Sequence, residues 1–137
     1  MSVELIEKVD EEFFDSDGDL TIYNGIPFTG IGYDPFPDGS GVEYETSYKN
    51  GLPHGYKKKW YTPDQMAYEV LCENGLKHGK EIHWYPGGEK KSESLYEFGI
   101  NICSTKWDEK GNIVERFSID PESPNYRLLE QYRNSAD

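Results

Sequence analysis

A length of 137 residues predicts one domain, because a second domain would have too few residues for its own core. Only 35% of the residues are hydrophobic, and no apolar run is long enough for a signal peptide or a membrane span, so we expect a cytoplasmic protein. The net charge of −12 lies almost entirely in residues 1–45, where twelve acidic residues face one lysine, a net charge of −11. This charge argues against nucleic acid and anionic lipid as partners and favours basic proteins.

The first predicted element is a hairpin over residues 4–23. Its apolar residues are Val9, Phe13 and Phe14 in one strand and Leu20, Ile22 and Tyr23 in the other. The segment Asp15–Gly18 is predicted to turn between them, because Asp and Gly are favoured turn residues. The same acidic string also suggests a calcium loop, but it lacks the final bidentate glutamate of an EF-hand, so we predict a turn and no metal.

A short phrase then recurs along the chain. Asn-Gly follows an aromatic or cysteine residue, and a second glycine stands four or five residues after the first. The copies are centred on Asn24–Gly25, Asn50–Gly51 and Asn74–Gly75, and an altered copy is centred on Phe98–Gly99. The lead glycines are 26, 24 and 24 residues apart. Periods of this length indicate a supersecondary unit that stacks on its neighbours.

Each unit reads as a β-hairpin. Asn-Gly predicts a two-residue turn in which both residues have positive φ, as we expect for Gly51 and Gly75. Tyr44, Thr46 and Tyr48 share one face while Glu43, Glu45 and Lys49 share the other, and this period of two indicates strands. A glutamate recurs in register at Glu45, Glu69, Glu93 and Glu115. The sequence therefore predicts a mainly β fold, an antiparallel meander of about nine or ten strands in a single open sheet, with repeats over residues 23–119.

These residues carry a family resemblance. The phrase Tyr48–Gly55, the Trp-Tyr pairs at residues 60–61 and 84–85 and the spaced glutamates resemble MORN repeats. More closely, they resemble the MORN-variant repeats of the YwqK family of bacterial antitoxins, and Tyr23–Gly30 looks like that family's usual first repeat. The resemblance covers about residues 20–115. Its departures are Pro35 in place of a tryptophan, Phe98 in place of the turn asparagine and Cys103 in place of the second glycine, all in the first and last units.

After Asp120–Pro121 the sequence pattern changes from that of a strand to that of a helix. Ser123 is a good N-cap, and Pro124 suits the first helical position. An apolar stripe at helical spacing follows, made of Tyr126, Leu128, Leu129 and Tyr132. We predict a short C-terminal helix over about residues 124–133 that docks on the sheet and covers its end.

Catalytic and metal-binding constellations are absent from the sequence. It has no phosphate loop and no Gly-x-Ser-x-Gly motif, so we predict no enzyme, no cofactor and no metal site. His54 and His78 occupy the same repeat position and read as structural residues, and His83 reads as a cross-strand residue. Cys72 and Cys103 are expected to be reduced thiols. The run Lys57–Lys59 lies in a strand, so its side chains are expected on alternate faces.

Two functions remain open at this stage. The resemblance implies an antitoxin or immunity protein that occludes a co-encoded toxin, such as a nuclease or deaminase with a cationic cleft that binds nucleic acid. An acidic protein with aromatic residues on a rigid sheet suits such a cleft. The alternative is a MORN-type scaffold for protein assembly without a toxin partner. An enzyme ranks third, because the chain has no catalytic set.

The predicted partner-binding residues follow from charge and aromatic content. The acidic candidates lie in or beside predicted turns: Asp15, Asp17, Asp19, Asp34 and Asp38. Tyr33 and Phe36 are predicted to supply an apolar anchor among them. Trp60 and Trp84 mark a second, aromatic candidate surface. The alternative interpretation is that these acids only shape turns and keep the protein dissolved.

Overall fold

The computed structural model describes residues 6–136, which form twelve strands, a 3-10 helix (Glu11–Phe13) and one α-helix, α1 (Pro124–Ser135). The strands are β1 (Lys8–Asp10), β2 (Asp15–Asp17), β3 (Leu20–Tyr23), β4 (Ile26–Pro27), β5 (Gly30–Pro35), β6 (Val42–Lys49), β7 (Leu52–Thr62), β8 (Gln65–Glu73), β9 (Leu76–Trp84), β10 (Lys90–Glu97), β11 (Ile100–Trp107) and β12 (Ile113–Ser118).

Nine strands form one open sheet in the order β1-β5-β6-β7-β8-β9-β10-β11-β12. From β5 to β12 each strand pairs antiparallel with the next strand in sequence. The predicted mainly β fold, with one open sheet built as a long antiparallel meander, is therefore confirmed. In finer detail β1 pairs parallel with β5, and β2, β3 and β4 form a separate three-stranded sheet.

The N-terminal hairpin is shorter than the predicted span of residues 4–23. It joins β2 to β3 through a turn at residues 18 and 19. Val9 belongs instead to β1, where it pairs with Gly32 in the large sheet. The 3-10 helix separates β1 from the β2–β3 hairpin. Its N-cap Asp10 accepts a hydrogen bond from the Glu12 amide, and the chain turns out of the large sheet there. Residues 4 and 5 of the predicted hairpin lie outside the described residues.

The three-stranded sheet is held on the large sheet by four aromatic rings. Phe14, Tyr23, Phe28 and Tyr48 form this cluster, with ring centroids 4.8 to 6.0 Å apart. Two backbone hydrogen bonds add to it, from the Thr21 amide to the Gly51 carbonyl and from the Gly51 amide to the Phe28 carbonyl, both 2.8 Å. Tilted and edge-on ring contacts of this kind stabilise a small core beyond the area that they bury.

All four copies of the repeated phrase form the same two-residue turn. The first turn residues have φ of 53, 51, 50 and 51°, and the glycines that follow have φ of 80, 85, 87 and 79°. Positive φ at both positions defines the type I′ hairpin turn, whose twist matches the twist of the flanking strands. The predicted conformation of Gly51 and Gly75 is confirmed, and Phe98 takes the same conformation as the three asparagines.

Each of the last three turns is bonded to the repeat before it. The Asn50 amide donates to Thr29 Oγ1 at 2.9 Å, the Asn74 amide to His54 Nδ1 at 3.2 Å, and the Phe98 amide to His78 Nδ1 at 3.0 Å. The amides of Gly51, Gly75 and Gly99 bind the carbonyls of Phe28, Pro53 and Lys77, each at 2.8 Å. The structural role predicted for the two histidines is confirmed, because each holds the turn of the following repeat.

The opposite ends of the repeats are joined by tyrosines. The Tyr61 hydroxyl donates to the Trp84 carbonyl, and the Tyr85 hydroxyl donates to the Trp107 carbonyl, each at 2.8 Å. The Tyr of each Trp-Tyr pair thus reaches the Trp position of the next repeat. This explains why the pair recurs with the same period as the turns.

The two faces of the large sheet differ in composition. One face, here the tyrosine face, carries Tyr44, Thr46, Tyr48, Lys57, Lys59, Tyr68 and Val70. The other, here the glutamate face, carries a row in which Glu45, Lys58, Glu69, Ile82 and Glu93 are successive cross-strand neighbours. The predicted glutamate register is confirmed for Glu45, Glu69 and Glu93 but is wrong for Glu115. Arg116 occupies that row, and Glu115 pairs with Lys106 on the tyrosine face, because β11 and β12 meet one residue out of phase.

The C-terminal helix begins where it was predicted. Ser123 Oγ accepts the Tyr126 amide at 3.2 Å, and Pro124 is the first helical residue. Tyr132 stacks on Phe98 with ring centroids 5.3 Å apart, and Arg133 forms an ion pair with Glu97. Leu129 is fully buried. The helix therefore docks beside the last Phe98–Gly99 turn. No helix in residues 6–136 is long and apolar enough to span a membrane.

Candidate functional site

The tyrosine face is acidic at its N-terminal end. Glu11 and Asp15 line a shallow depression of about 540 Å³ with Tyr48, whose hydroxyl lies 3.5 Å from Glu11 Oε1. Burial raises the pKa of the Glu11 carboxyl, and the nearby charge of Asp34 raises it further. We call Glu11, Asp15 and Asp34 the acidic patch. Because burial and the charge of Asp34 both disfavour the ionised form of Glu11, an approaching cation would stabilise that ionised form.

The predicted acidic residues are exposed, but they do not form a single cluster. Asp15 and Asp17 lie in β2, and Asp19 lies in the turn that follows. Asp34 lies in β5 opposite Tyr44. Asp38 lies in the loop between β5 and β6, where its Oδ1 accepts the Ser40 amide at 2.9 Å, and the hydrogen bonds from Ser40 lower the pKa of the Asp38 carboxyl. Asp38 thus shapes its turn, while Asp15 and Asp34 belong to the acidic patch.

The predicted aromatic anchors lie elsewhere. Tyr33 pairs with Glu45 and so lies on the glutamate face, opposite to Asp34. Phe36 is half-buried in the β5–β6 loop, which is closed by a hydrogen bond of 2.8 Å from the Phe36 amide to the Gly41 carbonyl. The structure therefore does not bring Tyr33 between Asp34 and Asp38.

Trp60 and Trp84 are half-buried residues near the ends of β7 and β9. Trp60 pairs with Met66, and Trp84 pairs with Lys90. The two indoles occupy equivalent positions in successive repeats, on β7 and β9, so they are separated along the sheet. They remain a predicted contact surface.

A groove opens on the tyrosine face next to the acidic patch. It has a volume of about 390 Å³ and is called the lysine groove here. Its lining residues on this face are Tyr44, Thr46, Lys57, Lys59, Tyr61, Ala67, Tyr68 and His83. Lys58 borders the groove as well, although its pairing with Glu45 and Glu69 assigns its side chain to the glutamate face. Lys59 Nζ lies over the Tyr44 ring, 5.3 Å from its centroid, which orients the ammonium group without neutralising it.

The lysines of the groove are not neutralised by carboxylates. Within residues 6–136 the ion pairs of lysine and arginine involve only Lys77, Lys80, Lys90, Lys106 and Arg133. Lys57 and Lys59 take part in none of them. Lys57 is near enough to the acidic patch for its charge to lower the pKa of Glu11, although burial and Asp34 outweigh that effect. The tyrosine face is therefore dipolar, with carboxylates at one end and free ammonium groups beside them.

A buried ion pair lies next to His83, one of the residues that line the groove. Glu81 is only 7% exposed, and Lys77 Nζ lies 2.6 Å from its Oε2. His83 Nε2 lies 3.7 Å from Glu81 Oε1, and the His83 ring packs on Tyr68 with centroids 4.8 Å apart. Burial alone raises the pKa of Glu81, but the hydrogen bonds from His83 and Lys77 outweigh it and lower that pKa. This carboxylate is therefore occupied and does not neutralise Lys57 or Lys59.

Comparison with known proteins then gives the family. The chain is 50% identical over 127 residues to the immunity protein YwqK of Bacillus subtilis (strain 168), an alignment that covers 93% of this chain and 80% of YwqK. The chain belongs to the YwqK-type immunity family. No protein-family model matches the chain. No solved structure matches it.

In this YwqK-family chain, the lysine groove is the surface that sequence reasoning missed. The alternation of β7 correctly predicted that Lys57 and Lys59 share a face and that Lys58 does not, since Lys58 pairs with Glu45 and Glu69. No local sequence pattern indicates that a nearby carboxylate, Glu81, is paired with Lys77 and His83 instead. Within residues 6–136, no group of three His, Cys, Asp or Glu side chains is placed to hold a metal, and both cysteines are free.

Proposed function

We propose that this chain is an immunity protein that binds a bacterial toxin and neutralises it by occupying its surface. The observation that carries the proposal is the 50% identity to the immunity protein YwqK over 93% of the chain. An open sheet stiffened at both ends of its repeats supports the same conclusion, because a rigid surface loses little conformational entropy on binding.

The proposed mechanism is occlusion without bond making or breaking, in the cytoplasm. The toxin would be a basic domain that acts on nucleic acid, and the acidic patch with Asp17, Asp19 and Asp38 would face its cationic cleft. A net charge of −11 in residues 1–45 supports this orientation, because it attracts a cationic surface over a distance of about a Debye length.

The proposal is tested by titrating toxin activity against this protein. The candidate toxin for this assay is the product of the gene next to the one that encodes this chain. Occlusion predicts that residual activity falls linearly and reaches its floor at a fixed molar ratio. Loss of toxin activity at ratios far below equimolar, increasing with time, would instead indicate an enzyme. Full toxin activity at excess protein would favour the scaffold alternative.

A further inference from the structure

The lysine groove is a recognition site of the opposite sign to the acidic patch. Lys57 and Lys59 present two ammonium groups without carboxylate partners within residues 6–136, and Tyr44 and Tyr68 line the same space. Tyr61 also lines it, but its hydroxyl already donates to the Trp84 carbonyl. Burial and the charge of Glu81 raise the pKa of the Tyr68 hydroxyl, so it remains a neutral donor. A site rich in such donors binds a ligand with acceptor oxygens and negative charge.

We propose that the lysine groove holds an acidic segment of the toxin, with Asp or Glu side chains seated against Lys57 and Lys59. This deepens the proposed function and rests on it. The toxin surface that fits the tyrosine face is then dipolar, with cations against the acidic patch and a carboxylate-bearing segment in the neighbouring groove. Such an arrangement fixes the register of the complex, because a rotated toxin would place like charges together.

A protein segment suits the groove better than a nucleic acid does. The groove is limited to about 390 Å³, and Glu11 and Asp34 lie on the same face. A polyanionic strand that continued past the groove would meet this acidic patch and be repelled, since its phosphates recur along its whole length. A short acidic segment of a protein places its charge only where the lysines are.

The test uses two double variants with the same net charge. Lys57→Gln with Lys59→Gln removes both groove ammonium groups, and Lys49→Gln with Lys110→Gln removes two exposed ammonium groups outside the groove. Both change the net charge from −12 to −14. Association and dissociation of the purified toxin are measured for each by surface-based kinetics at low and physiological salt.

A purely cationic toxin surface and a toxin surface with an acidic segment predict opposite changes in affinity for the groove variant. If the toxin offers only cations, the more acidic variant binds as fast as the parent protein or faster. If an acidic segment occupies the groove, the groove variant dissociates faster and its Kd rises about 10-fold or more, whereas the control variant keeps the parent Kd. Lys57→Arg with Lys59→Arg retains the charge and is expected to restore most of the affinity.

Three outcomes would overturn the proposal while leaving the proposed function intact. The first is an unchanged Kd for a groove variant that still neutralises toxin at the parent molar ratio. The second is a parent dimer, seen by sedimentation, that the groove variant loses, which would assign the groove to a second copy of this chain. The third is binding of a labelled single-stranded oligonucleotide that only the groove variant loses. Thermal melting of each variant verifies folding.

Discussion

At the scale of single residues, the last repeat replaces asparagine by phenylalanine at a position that disfavours it. Phe98 has a φ of 51°, a left-handed conformation that costs a bulky residue about 1 to 2 kcal/mol. Its ring contacts the rings of His78 and of Tyr132 in α1, with centroid-to-centroid distances of 4.8 and 5.3 Å. The aromatic contacts offset the backbone cost, so this residue connects the repeat array to the helix.

A double-mutant cycle measures that connection. Phe98→Asn restores the favoured turn residue but removes the ring, and Tyr132→Ala removes the stacking partner. We expect a coupling energy of about 0.5 to 1.5 kcal/mol between the two sites in urea denaturation. Phe117→Ala with Tyr132→Ala serves as a control pair without a ring contact and should be additive. Additivity of the Phe98 and Tyr132 substitutions would mean that the helix is held without this stack.

Two Asn-Gly turns of identical conformation differ in what surrounds the glycine. A Cβ on Gly51 would lie 3.1 Å from the Thr21 carbonyl oxygen and 3.2 Å from Leu20 Cδ2, whereas a Cβ on Gly25 would meet no atom within 4 Å. We expect Gly25→Ala to cost about 1 kcal/mol from the backbone alone. Gly51→Ala should cost at least about 1 kcal/mol more, because the three-stranded sheet must shift. Equal losses in chemical denaturation would show that this sheet is loosely attached.

At the scale of secondary-structure elements, β9 carries a carboxylate whose ionisation supports the sheet. The pKa of Glu81 is below its usual value of 4.5 in the folded state, where hydrogen bonds from His83 and Lys77 favour the charged form. A lowered folded-state pKa contributes stability that is present above the unfolded pKa and is lost as pH falls through the folded pKa. The ion pair of Glu81 with Lys77 should therefore weaken in acid.

The expected outcome is a pH-dependent difference between the parent protein and Glu81→Gln. The destabilisation caused by the variant should be largest at neutral pH and should shrink in acid, as the pH falls through the lowered folded-state pKa and the parent carboxyl is itself protonated. Glu89→Gln, at an exposed turn position, provides the control and should show little effect at either pH. A destabilisation by Glu81→Gln that does not change with pH would show that shape, not charge, matters at this site.

The elements that could be predicted were those repeated in the sequence. Asn50–Gly51 and Asn74–Gly75 determine their turns locally, and the period of two assigns the faces, so the meander followed from local chemistry. β1 did not, because its three residues join the sheet through parallel pairing with β5, a contact between segments far apart in sequence. Glu115 was assigned to the wrong row because a bulge between Lys106 and Trp107 shifts the register by one residue.

The candidate site was less predictable than the fold. Charge counting located the acidic end, and the alternation of β7 placed Lys57 and Lys59 together. Whether an ammonium group is neutralised depends on side chains from several strands. Glu81, for example, pairs with Lys77 and His83 and is not available to Lys57 or Lys59. Such three-dimensional pairing leaves no local pattern in the sequence.

At the scale of the whole molecule, the charge is unevenly distributed, with −11 in residues 1–45 and −1 in the remainder. Asp34 and Asp38 are both exposed, and replacing them with Asn keeps the turn hydrogen bond from Ser40 to residue 38 possible. We expect Asp34→Asn with Asp38→Asn to slow association with the toxin and to weaken its salt dependence, with little change in Tm.

The matched control for this prediction is Glu109→Gln with Glu122→Gln. These residues are exposed and lie outside the acidic end, and both double variants change the net charge from −12 to −10. A smaller effect of the control would assign the steering to the acidic end. Equal slowing by both variants would show that only the total charge matters, and an unchanged rate at low salt would move the interface towards Trp60 and Trp84.

The amides of the last three turns all donate hydrogen bonds towards the N-terminus of the chain. The donors in the turns at Asn50, Asn74 and Phe98 find their acceptors on residues that precede them by about one repeat. During synthesis, each new turn therefore leaves the ribosome after the repeat that carries its hydrogen-bond acceptors. The repeats are thus able to fold one after another from the N-terminus. Shortening the chain from its C-terminus leaves the earlier turns satisfied, whereas deleting the first repeat deprives the next turn of both acceptors.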